Sequence, residues 1–284
     1  NPLVGHESDP EYQTVPAEHP KKVMVVGAGP AGMQAAIAAA ECGHQVEVYD
    51  SDRWAGGQYR IASIPPGKGE ITAFLRWQVR ELEKLHVPVF LNTTVTKELV
   101  LEKKPDVVVA ATGVTPIVPK KIPGVQNPNV VLGQDVLKGA VNTGRRCVVV
   151  GGGLVGCETA LGYAQAGKQV TILEALPDIL SAGIPVPEMN DSMLRDLLDE
   201  AGVVRRTGRR LSRVTEDGAV ADGPDGEEKL PADHIVLAVG FTPRTSLAPE
   251  LAGAGMEVYQ VGDGSRVGSV MTAIGSAYTV GRML

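Results

Sequence analysis

The stretch KKVMVVGAGPAGMQAA at 21–36 returns as RRCVVVGGGLVGCETA at 145–160. Each copy is a short β-branched apolar run, a turn with three spaced glycines, and a run rich in small residues. The apolar run is too continuous for a one-sided strand and reads as a parallel strand covered on both faces. The glycines make a tight turn into a helix. A second strand follows each copy and ends in an acid: QVEVYD at Asp50 and QVTILE at Glu174. Each copy is therefore one βαβ unit. The expected fold class is α/β, with two Rossmann-like dinucleotide-binding domains.

The glycine positions carry the chemistry. Gly27 makes the turn, Gly29 leaves room for a pyrophosphate, and Gly32 lets the helix pack close to the strand. Pro30 and Ala31 open the helix, where unpaired N–H groups and the helix dipole favour an anion. Asp50 stands where an adenosine ribose is read. In the second copy the same parts are Gly151, Gly153, Leu154, Val155 and Gly156, with Glu174 as the ribose acid. A carboxylate there accepts from a free 2′-hydroxyl and repels a 2′-phosphate. Ala175, Leu176 and Pro177 supply no arginine to reverse that, although Lys168 is near in sequence. NADH is therefore expected over NADPH. Two dinucleotide sites in one chain point to a flavin and a nicotinamide, between which a hydride moves.

The rest of the chain fits this frame. Residues 51–68 read as a loop broken by Gly and Pro, with a helix expected near 71–85. VPVFLNTTVT and PDVVVAATG read as strands, and Pro116, Pro119 and Pro123 mark a linker. After the second unit a helix is expected at 187–201. A small meander punctuated by Asp-Gly follows at 203–234, then a buried strand at 235–240 and a strand–turn–helix close. The second domain is expected to interrupt the first: an extended arm at 1–20, an FAD domain at 21–115 plus 240–284, and an NAD(H) domain at 116–239. The arm's prolines make it irregular, with disorder as the simple expectation.

Net charge is −6, which gives no support for nucleic acid or an anionic membrane as partner. No apolar run is long enough to span a bilayer. The three cysteines, Cys42, Cys147 and Cys157, show no CxxC spacing. They read as buried thiols in a reducing, cytoplasmic setting, with no metal or iron–sulfur cluster within the chain. The five histidines show no ligand or triad spacing. Arg205, Arg206, Arg209 and Arg210 form a basic cluster, read as a solvated face. The start, NPLVGHES, is not a signal peptide and reads like the inside of a longer chain.

GAGPAG (27–32), ATG (111–113), GGGLVG (151–156), AVG (238–240) and VGD (261–263) together resemble the two-dinucleotide flavoprotein disulfide reductases. The resemblance implies cofactor contacts at Ala111, Thr112, Gly113, Gly240 and Gly262, and an acid, Asp263, for the flavin ribityl chain. The reactive cysteine pair of thioredoxin and glutathione reductases is missing. NPLVGHE, GGQYRIASIPPGK and LNTTVT narrow the resemblance to the FAD/NAD(P)H half of 2,4-dienoyl-CoA reductases and related old yellow enzyme-like flavoproteins, including trimethylamine and histamine dehydrogenases. That family implies FAD, NAD(P)H and a partner domain, an FMN barrel with an iron–sulfur cluster, in the same full-length chain or a partner subunit. It also implies that Gly56, Gly57 and Gln58 pass near the flavin. In its amine dehydrogenases the same half holds only an ADP-like nucleotide, so a redox-silent module is one alternative. A free-standing NADH:acceptor reductase is another. No catalytic side chain is expected, and the residues leave a homo-oligomer open.

Overall fold

A computed structural model describes residues 4–65, 67–244 and 247–284. The chain forms two compact units: 1–63 with 68–115 and 242–284, and 64–67 with 116–241.

The first unit begins with β1 (Lys22–Val26), α1 (Pro30–Glu41) and β2 (Gln45–Tyr49). α2 (Gly57–Ala62), α3 (Gly69–Lys84), β3 (Val89–Phe90), α4 (Lys97–Lys103), β4 (Val107–Ala110) and β5 (Val114–Pro116) follow. The second unit holds β6 (Val130–Leu132), α5 (Gly133–Leu137), β7 (Arg146–Val150), α6 (Leu154–Gln165), β8 (Gln169–Leu173) and α7 (Glu188–Glu200). It continues with β9 (Val204–Arg206), β10 (Arg210–Thr215), β11 (Gly218–Gly223), β12 (Gly226–Pro231) and β13 (His234–Leu237). The chain then returns through β14 (Phe241–Pro243) to α8 (Leu247–Ala252), β15 (Glu257–Gln260) and α9 (Val270–Met283).

Each unit is built on a five-stranded sheet, in the orders β15-β4-β1-β2-β3 and β6-β13-β7-β8-β9, and all pairings in both are parallel. The alternation of side chains explains the continuous apolar runs of the central strands β1, β4, β7 and β13. Val23 and Val25 pack with Met33, Ile37 and Leu82 on one face; Met24 and Val26 pack with Val100, Val108 and Leu251 on the other. In the second sheet Val149 faces α6 and α7, while Val148 and Val150 face the antiparallel meander β10-β11-β12. The connecting strands β5 and β14 pair with each other.

Three local expectations change. Residues 57–62 are helical rather than loop. Gly56 and Gly57, at φ +113° and +50°, turn the chain, and no breaker interrupts the following residues. In VPVFLNTTVT only Val89 and Phe90 pair, and the chain turns at Asn92 into α4, whose Thr96 side chain accepts from Leu99 N–H. The arm is also pinned: Ala17 N–H donates to Cys42 O at 2.8 Å, Tyr278 Oη to Tyr12 O at 3.4 Å, and Arg282 to Gln13 O. Asn1-Pro2 lies outside the described residues. Among the described residues no helix is long and apolar enough to cross a membrane.

Candidate functional site: two dinucleotide cradles

In the first unit the turn after β1 is shaped by what a side chain would strike. Gly27 has φ +113°, and a Cβ there would lie 2.2 Å from Ala111 O. A Cβ on Gly32 would lie 1.8 Å from Gly27 O. Both glycines are therefore demanded by the protein itself. Gly29 differs: its backbone is extended (φ −76°, ψ 177°) and a Cβ would meet nothing within 4 Å. The space beside it lies at the N-terminus of α1, whose first residues are Pro30 and Ala31.

Other segments close around that terminus. Asp50 follows β2; its Oδ2 accepts from Ala28 N–H at 2.6 Å and its Oδ1 from Asp52 N–H at 2.8 Å. Gly56 N–H donates to Ala28 O at 2.7 Å, and a Cβ on Gly57 would stand 3.3 Å from Gly29 Cα. This seats Gln58, in the first turn of α2, beside the glycine turn. Ala111 N–H donates to Val26 O at 2.8 Å, and Gly113 O accepts from Arg244 N–H at 2.9 Å. Thr112 stands between them, and a Cβ on Gly264 would approach its hydroxyl to 3.1 Å.

From the other side, α9 packs against α1 so closely that a Cβ on Gly281 would strike Ala35 O at 2.6 Å. This holds the turn before α9 in place: a Cβ on Gly262 would lie 2.6 Å from that of Ala31. Asp263 is half-buried and its Oδ1 accepts from Gly268 N–H at 2.9 Å. Burial raises its carboxyl above the usual range, and the Gly268 bond opposes this in part.

The second unit repeats the first cradle. Gly151 has φ +107°, and its Cβ would lie 2.4 Å from Ala238 O; that of Gly156 would lie 1.9 Å from Gly151 O. Gly153 is extended (φ −72°, ψ −179°), with nothing within 4 Å of a Cβ. Leu154 and Val155 open α6 and are exposed. Glu174 is buried at 7% exposure; its Oε2 accepts from Gly152 N–H at 2.6 Å and its Oε1 from Leu176 N–H at 2.7 Å. In AVG the residue against the glycine turn is Ala238, which the motif reading did not single out. Gly240 lies two residues beyond, where its O accepts from Ile117 N–H at 3.0 Å.

One sequence reading of a nearby cation changes. Lys168 precedes β8, at the end opposite Glu174, and its ammonium donates to Thr143 O and Gly144 O at 2.6 and 2.9 Å. Two arginines, on β9 and in the turn after it, instead have main chains bonded to that of Glu174. Arg206 O accepts from Glu174 N–H at 2.9 Å, and Arg209 N–H donates to Glu174 O at 3.0 Å. Three arginines of the basic cluster are ion-paired at the surface, Arg205 with Asp199, Arg206 with Glu228, and Arg209 with Asp225 and Glu228, while Arg210 is exposed.

The residues fit dinucleotides at both turns. Each has an open glycine at a helix N-terminus for phosphate and a carboxylate with spare lone pairs for ribose. Such a pair of cradles defines an oxidoreductase module of the two-dinucleotide type seen in glutathione and thioredoxin reductases. Residues 21–267 match the pyridine nucleotide-disulphide oxidoreductase model, and the chain belongs to that family, whose cofactors are FAD and NAD(P)H. It is 38% identical to an NADH oxidase of Thermoanaerobacter brockii, over 99% of this chain and 43% of that protein. It is 36% identical to a cinnamate reductase of Clostridium sporogenes, over 99% and 42%. A 2-naphthoyl-CoA reductase structure superposes with a TM-score of 0.94 at 33% identity, over 100% of this chain and 43% of that one. The chain thus spans less than half the length of these relatives. It resembles a module of old yellow enzyme-related multidomain reductases.

Proposed function

We propose that this chain is the electron-input module of a larger flavoenzyme, with FAD on the first cradle and NADH on the second. Electrons then go to an FMN- and iron–sulfur-containing barrel domain, carried by the same full-length chain or by a partner subunit. The observation that carries the reading is the pair of open glycines, Gly29 and Gly153. Each sits in a turn whose other glycines the protein itself demands, so each open position answers to a ligand rather than to the fold.

In this reading Gly27, Gly29, Pro30, Ala31 and Gly32 take the FAD pyrophosphate and Asp50 takes its ribose. Gly57, Gln58, Ala111, Thr112, Gly113, Gly262 and Asp263 enclose the rest. Gly151, Gly153, Leu154, Val155 and Gly156 take the NADH pyrophosphate, with Gly240 on the nearby connection. The two oxygens of Glu174 are held by Gly152 and Leu176, which leaves lone pairs for a ribose hydroxyl and fixes a negative charge against a 2′-phosphate. The chemistry supplied by bound FAD is hydride acceptance from a nicotinamide followed by one-electron release. The protein's part is orientation by backbone N–H groups, so no side-chain acid or base is assigned. The relatives named NADH oxidase and cinnamate reductase support a redox-active module, and their greater length supports a further domain that selects the final acceptor.

The test is the visible spectrum of the purified protein before and after anaerobic NADH. A flavin band that bleaches, and bleaches more slowly with NADPH, is expected. A colourless protein that releases only an adenine nucleotide on denaturation would replace this reading with a redox-silent ADP-binding module.

A further inference from the structure

We infer that Glu228 sets the pyridine-nucleotide preference of the second unit, by holding Arg206 and Arg209 in a closed ion-pair cluster beside Glu174. The inference rests on the reading that the second glycine turn holds a pyridine nucleotide. The backbone places both arginines at the ribose acid. Arg206 O and Arg209 N–H bracket the Glu174 main chain at 2.9 and 3.0 Å, and Gly208 N–H donates to Leu176 O at 2.7 Å. Guanidiniums carried on that backbone are the donor set a 2′-phosphate takes.

Here they are already occupied. Glu228 reaches from β12 with Oε1 2.8 Å from Arg206 Nε and Oε2 3.2 Å from Arg209 Nε. Asp225 takes Arg209 Nη2, and Gly226 O accepts from its Nη1 at 3.3 Å. Glu227, the remaining acid there, is paired with Arg213 at 2.7 Å. Arg206, Arg209 and residues 225–228 line a depression of about 460 Å³. A 2′-phosphate, at roughly −1.5 to −2 charge by analogy with other phosphate monoesters, would have to part these pairs and sit among carboxylates. A 2′-hydroxyl requires neither. Glu174 thus repels the phosphate, and Glu228 withholds the countercharge that would otherwise compensate. Glu228 acts through the arginines and is a positioning residue.

The experiment is calorimetric binding of NAD⁺ and NADP⁺, which differ only at the 2′ position, to the full-length protein. Wild type, Glu228→Gln, Glu228→Ala, and Glu228→Gln combined with Arg206→Gln and Arg209→Gln are compared, with thermal melts to confirm folding. Wild type is expected to favour NAD⁺. Either folded Glu228 variant should shift the affinity ratio toward NADP⁺ by about tenfold, the scale of a charge-assisted bond to phosphate. The shift should shrink with salt and vanish in the triple variant. An unchanged ratio in a folded Glu228 variant, a shift that survives loss of both arginines, or a wild type that prefers NADP⁺ would overturn the inference. Failure of every form to bind either nucleotide would instead overturn the reading of the second turn.

Discussion

Replacing Gly29 by Ala should separate what the ligand needs from what the fold needs. The new methyl meets nothing within 4 Å, and the backbone at φ −76°, ψ 177° is open to any residue. Loss of a glycine N-cap costs up to about 1 kcal/mol, and the stiffer unfolded chain returns about 0.4–1 kcal/mol. The flavin-free variant should therefore melt within about 3 °C of flavin-free wild type. Gly32→Ala is the contrast. Its methyl would lie 1.8 Å from Gly27 O, so α1 must shift by more than an ångström. Overpacking of that kind costs about 1–3 kcal/mol or more, a loss of roughly 2–12 °C. FAD affinity should behave the other way: Gly29→Ala puts a methyl where phosphate oxygens meet backbone donors, a loss of about 10- to 100-fold. Gly153→Ala is the twin in the second unit and should weaken NAD⁺ while sparing FAD. Flavin fluorescence titration, NAD⁺ calorimetry and apo-protein melts read all of this. If Gly29→Ala melts as low as Gly32→Ala, or keeps full FAD affinity, the open space is not a phosphate cradle.

Other substitutions test the carboxylates and the buried thiol. Glu174→Ala strips two backbone N–H groups of their acceptor; at about 1–3 kcal/mol each when they stay unsatisfied, melts and urea midpoints should fall clearly while the flavin site is spared. Asp263 has a raised folded pKa, so its ionised form weighs against the folded state at neutral pH and its stability contribution improves as pH falls through that pKa. Asp263→Asn should thus raise apo-protein stability at pH 7 while lowering FAD affinity. Cys157 is fully buried, its thiol pushed up to about 12 by desolvation from an ordinary 9.0. Between those values the unfolded chain releases a proton that the folded chain keeps, so stability should fall as pH rises from 9 to 12. The slope from this group is at most about 1.4 kcal/mol per pH unit, and it should disappear from urea midpoints in Cys157→Ala.

The parts legible in the sequence are those fixed over short range. The strand–turn–helix and the acid after the second strand follow from glycine spacing and apolar runs, because the shortest contact that forces Gly32 and Gly156, to the first glycine's carbonyl oxygen, lies within its own turn. The central strands of both parallel sheets follow from apolar runs on successive residues, whereas β9, in the stretch expected to be a meander, pairs parallel with β8. What escaped depends on which strands lie side by side. Ala238 reaches the second turn only because β13 pairs with β7, as β4 pairs with β1 to bring Ala111 to the first. Arg206 reaches Glu174 through the β8–β9 pairing, while Lys168, nearer in sequence, lies at the wrong end of β8. Gly56 and Gly57 read as breakers but serve as the entrance to α2.

The two cradles are alike in their turns and unlike in their walls, and the difference bears on how each ligand comes and goes. Ala31 and Val155 hold equivalent positions at the start of α1 and α6. Ala31 is 8% exposed beneath Gly262; Val155 is 38% exposed and Leu154 beside it 41%. The first turn is further enclosed by Gly57 against Gly29, a wall that follows from two glycines found only after β2. Enclosure slows dissociation because the surrounding segments must open before the ligand can leave, and variation in affinity among related complexes resides mostly in that off-rate. An open helix terminus exchanges its ligand without local unfolding. A resident cofactor suits the first and a nucleotide that exchanges at every turnover suits the second. Gly57→Ala, whose added methyl would stand 3.3 Å from Gly29 Cα at a backbone φ of +50°, should therefore loosen the wall. The expected result is faster FAD release in a stopped-flow chase, with NAD⁺ exchange unchanged; equal acceleration of both would mean that the wall around the first turn does not govern residence.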